Sequence, residues 1–404
     1  MSLSRRRVLS RFALGLAIPS LPALAQQQVV RIGWALSKTG PNAGGAAVSS
    51  APNYDLWIRQ LQAAGGLKLG ERRVPVEVVQ YDDRSSPEEA VRAVERLISQ
   101  DKVDLVLAPW GTALNMAVAP VLHRAGYPHL AATAMTTRTA DFVKRWPGSF
   151  WPLGPIEIGA QNIAKMLVQL RDQGRIGNTV ALVGIADAWG VAGTSVARQE
   201  LPKAGFKLVY DKTYPIGTQD VAPIVSEIKA QAPDVLLAFS YPPDTFALTE
   251  QARLTGLSPK VFITGVGTAF PQFKKRFGAA AEGVIGTGGW NPDIPAARDY
   301  LKQHREMTGA EPDRMGSLTT WASLQMLQQA IERVGRLDRP AIIRELQTGT
   351  FDTIFGPWKF ENNLPARPWT LGQWRGDEFV GVAPAHHPGA AALTVPKAPW
   401  PAAN

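Results

Sequence analysis

Cysteine is missing from this chain of 404 residues, and histidine is scarce, with five in all. The absence of cysteine excludes disulfide bonds, thiol catalysis and cysteine-ligated zinc or iron–sulfur sites. His386 and His387 stand together in a stretch rich in Pro and Gly, but no further ligand accompanies them at the spacing of a metal site. We therefore expect neither a metal nor any other cofactor.

The sequence motifs of common enzymes are missing as well. There is no GxSxG, no HExxH, no GxxxxGK[ST], and no GxGxxG that opens a helix. The adjacent acids Asp82-Asp83 and Glu88-Glu89 could do acid–base chemistry, but solvation and the helix dipole explain them better. The sequence thus predicts a protein that is not an enzyme.

Charge and hydropathy exclude two further classes of partner. The formal net charge is +9, but the Lys and Arg residues are scattered among acids, and no basic stripe alternates with aromatic residues. Nucleic acid is therefore not an expected partner. After the first 25 residues no apolar run reaches the roughly 18 to 20 residues of a membrane helix, so no membrane span is expected.

The first 25 residues have the pattern of an export signal. A basic start, SRRRVLSR, precedes the apolar run FALGLAIPSLPALA, which ends in Ala23-Leu24-Ala25 before Gln26. Arg5 and Arg6 resemble the twin-arginine signal, although Val8 stands where that pattern prefers Phe. The alternatives are an uncleaved helix or a general-pathway signal. We expect a mature protein in the periplasm, without a lipid anchor because it has no cysteine.

Strand-like and helix-like segments alternate along the chain. The strand candidates are VVRIGWAL (29–36), VPVEVVQY (74–81), VDLVLA (103–108), TVALVGIA (179–186), DVLLAFSY (234–241) and VFITGV (261–266). Several are continuous apolar runs, which are typical of parallel strands covered on both faces. After Tyr81, Ser86, Pro87 and Glu89 are typical of a helix start with a capping box.

The alternation of strands and helices occurs twice, which predicts an α/β protein with two doubly wound, Rossmann-like lobes. Three irregular stretches, KRWPGSFWPLGP (144–155), GTGGWNPDIP (286–295) and TFDTIFGPW (350–358), are the expected crossings between them. The predicted N-terminal lobe comprises 26–152 plus 287–353, and the C-terminal lobe comprises 153–286 plus 354–382. We expect the Ala- and Pro-rich tail, 383–404, to pack loosely.

Polar and aromatic residues fall where the predicted strands end. Thr112 follows the strand VDLVLA at a helix N-terminus, where backbone N–H groups and a hydroxyl favour an anion; the alternative is that Thr112 only caps its helix. Thr133 lies at the same sheet edge, and Tyr241 ends another strand. Large rings at strand ends or crossings can line a ligand cleft, with core packing as the alternative. The tryptophans at such positions are Trp34, Trp110, Trp189 and Trp290.

Taken together, these segments resemble the type I periplasmic binding proteins of ABC transporters, in the leucine/isoleucine/valine-binding branch. The resemblance extends from about Val29 to Val382 and is carried by the order of SKTGPNAGG, AAGGLKLG, YDDRSSPEEAV, LAATA, YPPDTFALTEQARLTGL, AAEGV, TTWASLQMLQQAI and FDTIFGPWKF. It implies two lobes joined by three crossings, a solute bound between them, hinge closure and docking of the closed form on a membrane permease. It also implies a monomer without catalysis.

The resemblance assigns roles to individual residues. In amino-acid-binding members the ligand carboxylate is held at the positions of Thr112, Ala131 and Thr133. The second lobe supplies aromatic residues at the positions of Tyr241 and Trp189.

One position departs from the pattern. The family glutamate that takes the α-ammonium group aligns with Val266, and no acid lies between Lys260 and Glu282. A buried ammonium needs an anionic partner. Either another acid replaces the glutamate, with Asp187 as the first candidate, or the ligand has no ammonium group.

Three hypotheses follow. The leading one is the solute-binding subunit of an ABC importer for a branched-chain amino acid, or for a related aliphatic or aromatic acid or amide, with Trp34 and Trp110 also shaping the pocket. The second is a periplasmic sensing module that reports to a receptor. The third is a secreted hydrolase, against which the missing catalytic motifs argue.

Overall fold

The computed structural model describes residues 29–291, 295–365, 371–387 and 389–401. The predicted export signal, residues 1–25, lies outside the described residues. Within the described ranges, every helix is too short or too polar to cross a bilayer.

The strands are short and mostly buried. In chain order they are β1 (Val30–Leu36), β2 (Leu67–Leu69), β3 (Arg72–Val74), β4 (Val76–Asp82), β5 (Leu105–Leu107), β6 (His129–Leu130), β7 (Ser149–Phe150), β8 (Thr179–Ile185), β9 (Lys207–Tyr214), β10 (Val235–Phe239), β11 (Val261–Thr264), β12 (Ile285–Thr287), β13 (Phe351–Thr353), β14 (Gly356–Trp358), β15 (Phe360–Glu361), β16 (Leu364–Pro365), β17 (Leu371–Arg375) and β18 (Glu378–Ala383).

Helices separate most of the strands. They are α1 (Ala43–Ser49), α2 (Ala51–Ala63), α3 (Pro87–Ser99), α4 (Thr112–Arg124), α5 (Thr139–Arg145), α6 (Ile156–Asp172), α7 (Ala188–Lys203), α8 (Ala222–Ala230), α9 (Pro242–Thr255), α10 (Pro271–Phe277), α11 (Pro295–Thr308), α12 (Gly316–Val334) and α13 (Arg339–Thr348). The predicted start of α3 is confirmed, since the Ser86 hydroxyl oxygen accepts a hydrogen bond from the Glu89 N–H.

Two sheets organise the described residues. The first has the order β4-β1-β5, and all of its strands are parallel. The second has seven strands in the order β18-β17-β12-β11-β10-β8-β9, with β17 and β18 as an antiparallel edge. The predicted α/β class with parallel sheets is confirmed. The sheets differ in size, however, because β6 and β7 pair with each other and, among the described residues, with no further strand.

One predicted strand is interrupted. The stretch 74–81 divides at Pro75 into β3 and β4. Proline has no N–H for a sheet hydrogen bond, so the chain turns there from a short hairpin into the parallel sheet.

The C-terminal helices α11 and α12 pack beside the first sheet, on α2. Tyr300 donates a hydrogen bond to the Asn53 side chain, with 2.8 Å between the oxygens, and Trp57 donates to Gln328. These contacts support the predicted lobe division, whose boundaries remain a prediction.

For residues 389–401, the expectation of a loosely packed tail was wrong. Residues 389–401 follow the second sheet and are held by hydrogen bonds: Arg175 donates to the Val395 carbonyl, and the Trp400 indole donates to the Leu257 carbonyl at 2.7 Å. Val395 and Lys397 are buried. Apolar residues and backbone pairing hold this segment, although its Ala and Pro content favours no regular structure.

Candidate functional site

Strand β5 delivers Thr112 to the start of α4. Gly111, with φ of +94°, makes the turn and takes the N-cap position, so the helix begins at Thr112. The Thr112 hydroxyl does not cap the helix; it exchanges hydrogen bonds with the N–H and the carbonyl of Met135, each at 3.2 Å. These bonds fix the rotamer of Thr112 and tie the two loops together.

The other two residues predicted to hold a carboxylate lie on the chain after β6. Thr133 Oγ1 accepts a hydrogen bond from the Gly111 N–H at 3.1 Å, which places Thr133 beside the helix start. Ala131 is fully buried, and its N–H donates to the Phe150 carbonyl at 2.8 Å. The structure thus brings Thr133 next to Thr112 and leaves Ala131 in the core.

Three aromatic rings join the two sides of the cleft. The Trp110 ring lies 5.3 Å from the Tyr241 ring, and Tyr241 stacks on Trp189 with an interplanar angle of 14°. Trp110 follows β5 of the first sheet, whereas Tyr241 and Trp189 follow β10 and β8 of the second. The Trp110 indole lies so close to Gly45 that a Cβ there would approach it to 2.2 Å, so only glycine fits at that position.

These rings and hydroxyls surround a small cavity, here called the cleft cavity, of about 20 Å³. It is lined by Ser49, Trp110, Thr112, Thr133, Met135, Leu153, Trp189, Tyr241, Val266, Met315 and Gly316. Six of the nine predicted site residues are among them: Trp110, Thr112, Thr133, Trp189, Tyr241 and Val266. Among the described residues that line it there is no carboxylate.

Trp34 lies away from the cleft cavity. It sits inside β1 rather than at its end, and its ring packs against Tyr54 at 5.4 Å. Trp290 is also placed in the core, with its ring 5.6 Å from Phe355. Of the four tryptophans, Trp110 and Trp189 line the cleft cavity.

Asp187 lies behind the rings rather than in the cavity wall. It is the N-cap of α7, and its carboxylate accepts the Gly190 N–H at 2.7 Å. Burial raises its pKa above the usual range, while the N–H groups of Gly190 and Trp189 and the Tyr241 hydroxyl lower it. Much of its hydrogen-bonding capacity is thus used within the protein.

Five residues of the cavity wall were not predicted: Ser49, Met135, Leu153, Met315 and Gly316. Ser49 ends α1, and Met315 and Gly316 begin α12, so none of them follows a predicted strand. Only Met135 had a usable signal, because it comes two residues after Thr133 on the same loop.

An apolar cavity continues from the cleft cavity. The two share Met135, Leu153, Trp189 and Met315, and the apolar cavity extends between Ile156, Ile163 and Phe239. Its volume is about 30 Å³. Methionine side chains are flexible and adapt to different shapes, so this wall suits an aliphatic or aromatic body.

A larger cavity of about 320 Å³, here called the acid chamber, lies on the other side of Tyr241. It is lined by Gly40, Pro41, Ile185, Gly217, Thr218, Gln219, Tyr241, Pro243 and Asp244. Asp244, in the first turn of α9, is 5% exposed. Burial, with a smaller contribution from the neighbouring Asp187, raises its pKa to about 6, against the Tyr241 N–H and the Tyr214 hydroxyl, which lower it.

A buried Ser–His–Asn arrangement lies beneath α4. His129 Nδ1 is 2.8 Å from Ser149 Oγ, and its Nε2 is 3.0 Å from the Asn115 side-chain oxygen. Burial lowers the pKa of His129 to about 3. All three residues are at most 2% exposed, so no substrate reaches the serine, and the arrangement ties β6 and β7 to α4.

The described part of the chain also offers no cluster of metal-binding side chains. Within those ranges, no group of three or more His, Asp or Glu side chains is placed to hold a metal ion.

Residues 29–378 match the model of the family described as periplasmic binding protein. The chain belongs to this family, which is a family of binding proteins and not of enzymes. A Leu/Ile/Val-binding protein homolog of Brucella abortus (strain 2308) is 24% identical over 361 residues, covering 83% of this chain and 86% of the relative.

Solved structures share the fold. A branched-chain amino acid binding protein from Streptococcus pneumoniae, in complex with isoleucine, has a TM-score of 0.74 at 18% identity, covering 87% of this chain and 98% of its own. A solute-binding protein from R. palustris, in complex with 4-hydroxybenzoate, has a TM-score of 0.72 at 19% identity, covering 88% and 95%.

Proposed function

We propose that this protein is the periplasmic solute-binding subunit of an ABC importer and that it captures a small solute bearing a carboxylate or amide group. The observation that carries this proposal is the cleft cavity. There the helix start at Thr112 and the hydroxyl of Thr133 face the rings of Trp189 and Tyr241, which come from the other sheet. An acceptor group of the solute binds at the helix N-terminus, and the rings cover it.

The rest of the wall defines the body of the solute. Met135, Leu153 and Met315 lead into the apolar cavity, which takes an aliphatic or aromatic group. Val266 lines the cleft cavity where amino-acid binders place a glutamate, so this cavity offers an α-ammonium group no anionic partner. Relatives of this fold hold isoleucine in one case and 4-hydroxybenzoate in another, and the wall of the cleft cavity favours a carboxylate that has no ammonium group on the neighbouring carbon.

Capture of the solute is coupled to closure of the cleft. Trp110 and Tyr241 approach each other from opposite sides, so a solute between the two sides stabilises the closed form. We propose that this form docks on permease subunits in the inner membrane, after export through the signal at residues 1–25.

A thermal-shift screen of the purified protein tests the proposal. The screen covers amino acids, aliphatic and aromatic acids, amides and urea, and a true ligand raises the melting temperature by mass action. The best ligand is then titrated against Thr112→Val, which removes the hydroxyl, with Thr112→Ser as the matched control that keeps it. We expect Thr112→Val to weaken binding about tenfold. A screen without any stabilising ligand, or equal binding by both variants, contradicts the proposal.

A further inference from the structure

One residue of the acid chamber wall has a buried carboxylate oxygen that no hydrogen bond satisfies. Asp244 Oδ2 is buried without a partner among the described residues, although the side chain is 5% exposed and lines the chamber. The Tyr214 hydroxyl lies close enough to lower the pKa of the Asp244 carboxyl. It forms no hydrogen bond of normal geometry with any described residue. Such atoms are costly to bury unless something pairs with them.

The charge around the chamber has one sign. Among the described residues that line it, Asp244 carries a carboxyl group and there is no Lys, Arg or His; the buried Asp187 lies close enough to raise the pKa of Asp244. Two neighbouring buried carboxylates attract a positive charge. Asp244 lines the chamber and its Oδ2 has no partner among the described residues, whereas Asp187 accepts the Gly190 N–H and lies outside the lining, so Asp244 is the acid that can pair there.

We infer that the acid chamber binds a positively charged ammonium or guanidinium group of the solute, with Asp244 as its anionic partner. This inference rests on the proposed function, because the same solute places its carboxylate at Thr112. Gly40 and Pro41 close the chamber from the first-sheet side, and Gly217, Thr218 and Gln219 close it from the other.

The position of Tyr241 restricts the solute further. Tyr241 lines both the cleft cavity and the acid chamber, and it is the residue that their walls have in common. Thr112 lines the first cavity and Asp244 the second, and an α-amino acid, which carries its ammonium and carboxylate on one carbon, is too short to reach both. The solute class is therefore an acid whose positive group is several bonds away from its carboxylate, such as an ω-amino acid.

Matched probes test the inference by calorimetric titration of the purified protein. The probes are hexanoate, 2-aminohexanoate and 6-aminohexanoate, with 4-aminobutanoate and 5-aminopentanoate to vary the span. We expect one of the ω-amino acids to bind at least about tenfold more tightly than hexanoate and 2-aminohexanoate. Asp244→Asn should abolish this preference and leave the affinity for hexanoate unchanged. Asp377→Asn, at a carboxylate that is 97% exposed, is the control that keeps it.

A second variant decides the matter if Asp244→Asn does not fold. Thr218→Lys places a positive group in the chamber from an outer loop and should also remove the preference. If hexanoate binds and no ω-amino acid binds more tightly, the inference about the acid chamber is overturned, but the proposed function is not. A preference that survives Asp244→Asn or Thr218→Lys also overturns the inference. Absence of binding by every probe and every compound of the thermal-shift screen overturns both.

Discussion

The hydroxyl and carboxylate groups on the two sides of the cleft differ in how they are satisfied. On the first-sheet side, Thr112 bonds to Met135 and Thr133 accepts from Gly111. On the second-sheet side, Asp244 Oδ2 and Tyr214 Oη are buried without partners among the described residues.

From this difference we infer that the two sides have different functions in binding. Side chains that are already bonded hold one geometry before a solute arrives, so the first side is preorganised. Side chains that lack partners gain from a solute that supplies them, so the second side depends more on what is bound. We therefore expect substitutions on the first side to reduce stability and those on the second side to change selectivity.

The largest effect should come from Asn115→Leu. The Asn115 side chain donates to the carbonyls of Pro109 and Gly111, at 2.8 and 2.9 Å, and contacts His129. Leucine has similar volume but leaves these buried groups unpaired, so the free energy of unfolding should fall by about 3 kcal/mol. Urea unfolding measures it, with Asn178→Leu at an exposed position as control. A loss equal to that of the control would refute preorganisation of the first side.

Acidification should change the free energy of unfolding in opposite directions through the two sides of the cleft. The native pKa of His129 is about 3, below its unfolded value near 6.5, so its contribution to stability is lost as pH falls below that value. The native pKa of Asp244 is about 6, above the unfolded 3.8, so its contribution is lost as pH rises toward 6. Between pH 7 and pH 5 the expected changes are about −2 kcal/mol from His129 and about +1 kcal/mol from Asp244.

Urea unfolding at the two pH values checks these signs. Asp244→Asn should make the loss of stability at pH 5 steeper than in the wild type, and His129→Asn should make it shallower. The reverse order would show that one of the two protonation states is assigned wrongly.

Thr133→Val should have a smaller effect. It leaves the Gly111 N–H without its side-chain acceptor and should cost about 1 kcal/mol. Thr213→Val, at an exposed position of β9, is the matched control. Thermal unfolding compares the two, and equal melting temperatures would show that the Thr133 bond contributes nothing.

Several features of the fold and site followed from local sequence. Continuous apolar runs located β1, β8 and β10, because a parallel strand buried on both faces needs them. The rule that ligands meet strand ends pointed to Trp110 and Tyr241. It does not extend to Trp34, which lies within β1 and within the predicted strand 29–36, two residues before the end of each.

Other features depend on packing between distant segments. Ser49 and Met315 reach the cleft cavity through the way α1 and α12 meet, which no local pattern records. In the sequence, Asp244 is explained sufficiently as an acid in the first turn of α9 that complements the helix dipole, which is a common arrangement. Its lack of a hydrogen-bond partner becomes visible only when the surrounding described residues are in place.

The smallest predicted effect compares two buried tyrosines. Tyr54 donates to the Ala108 carbonyl at 2.7 Å on the first-sheet side, so Tyr54→Phe should cost about 1 kcal/mol. Tyr214 Oη completes no hydrogen bond of normal geometry with described residues, so Tyr214→Phe should change the free energy of unfolding by less than about 0.5 kcal/mol or raise it. The pair is matched in chemistry and burial, and urea unfolding measures both. If Tyr214→Phe costs as much as Tyr54→Phe, the Tyr214 hydroxyl is bonded in solution, and Asp244, the carboxyl with the larger effect on the Tyr214 pKa, is the expected acceptor. The acid chamber would then hold one unpaired oxygen fewer, and its demand for a positively charged group would be weaker.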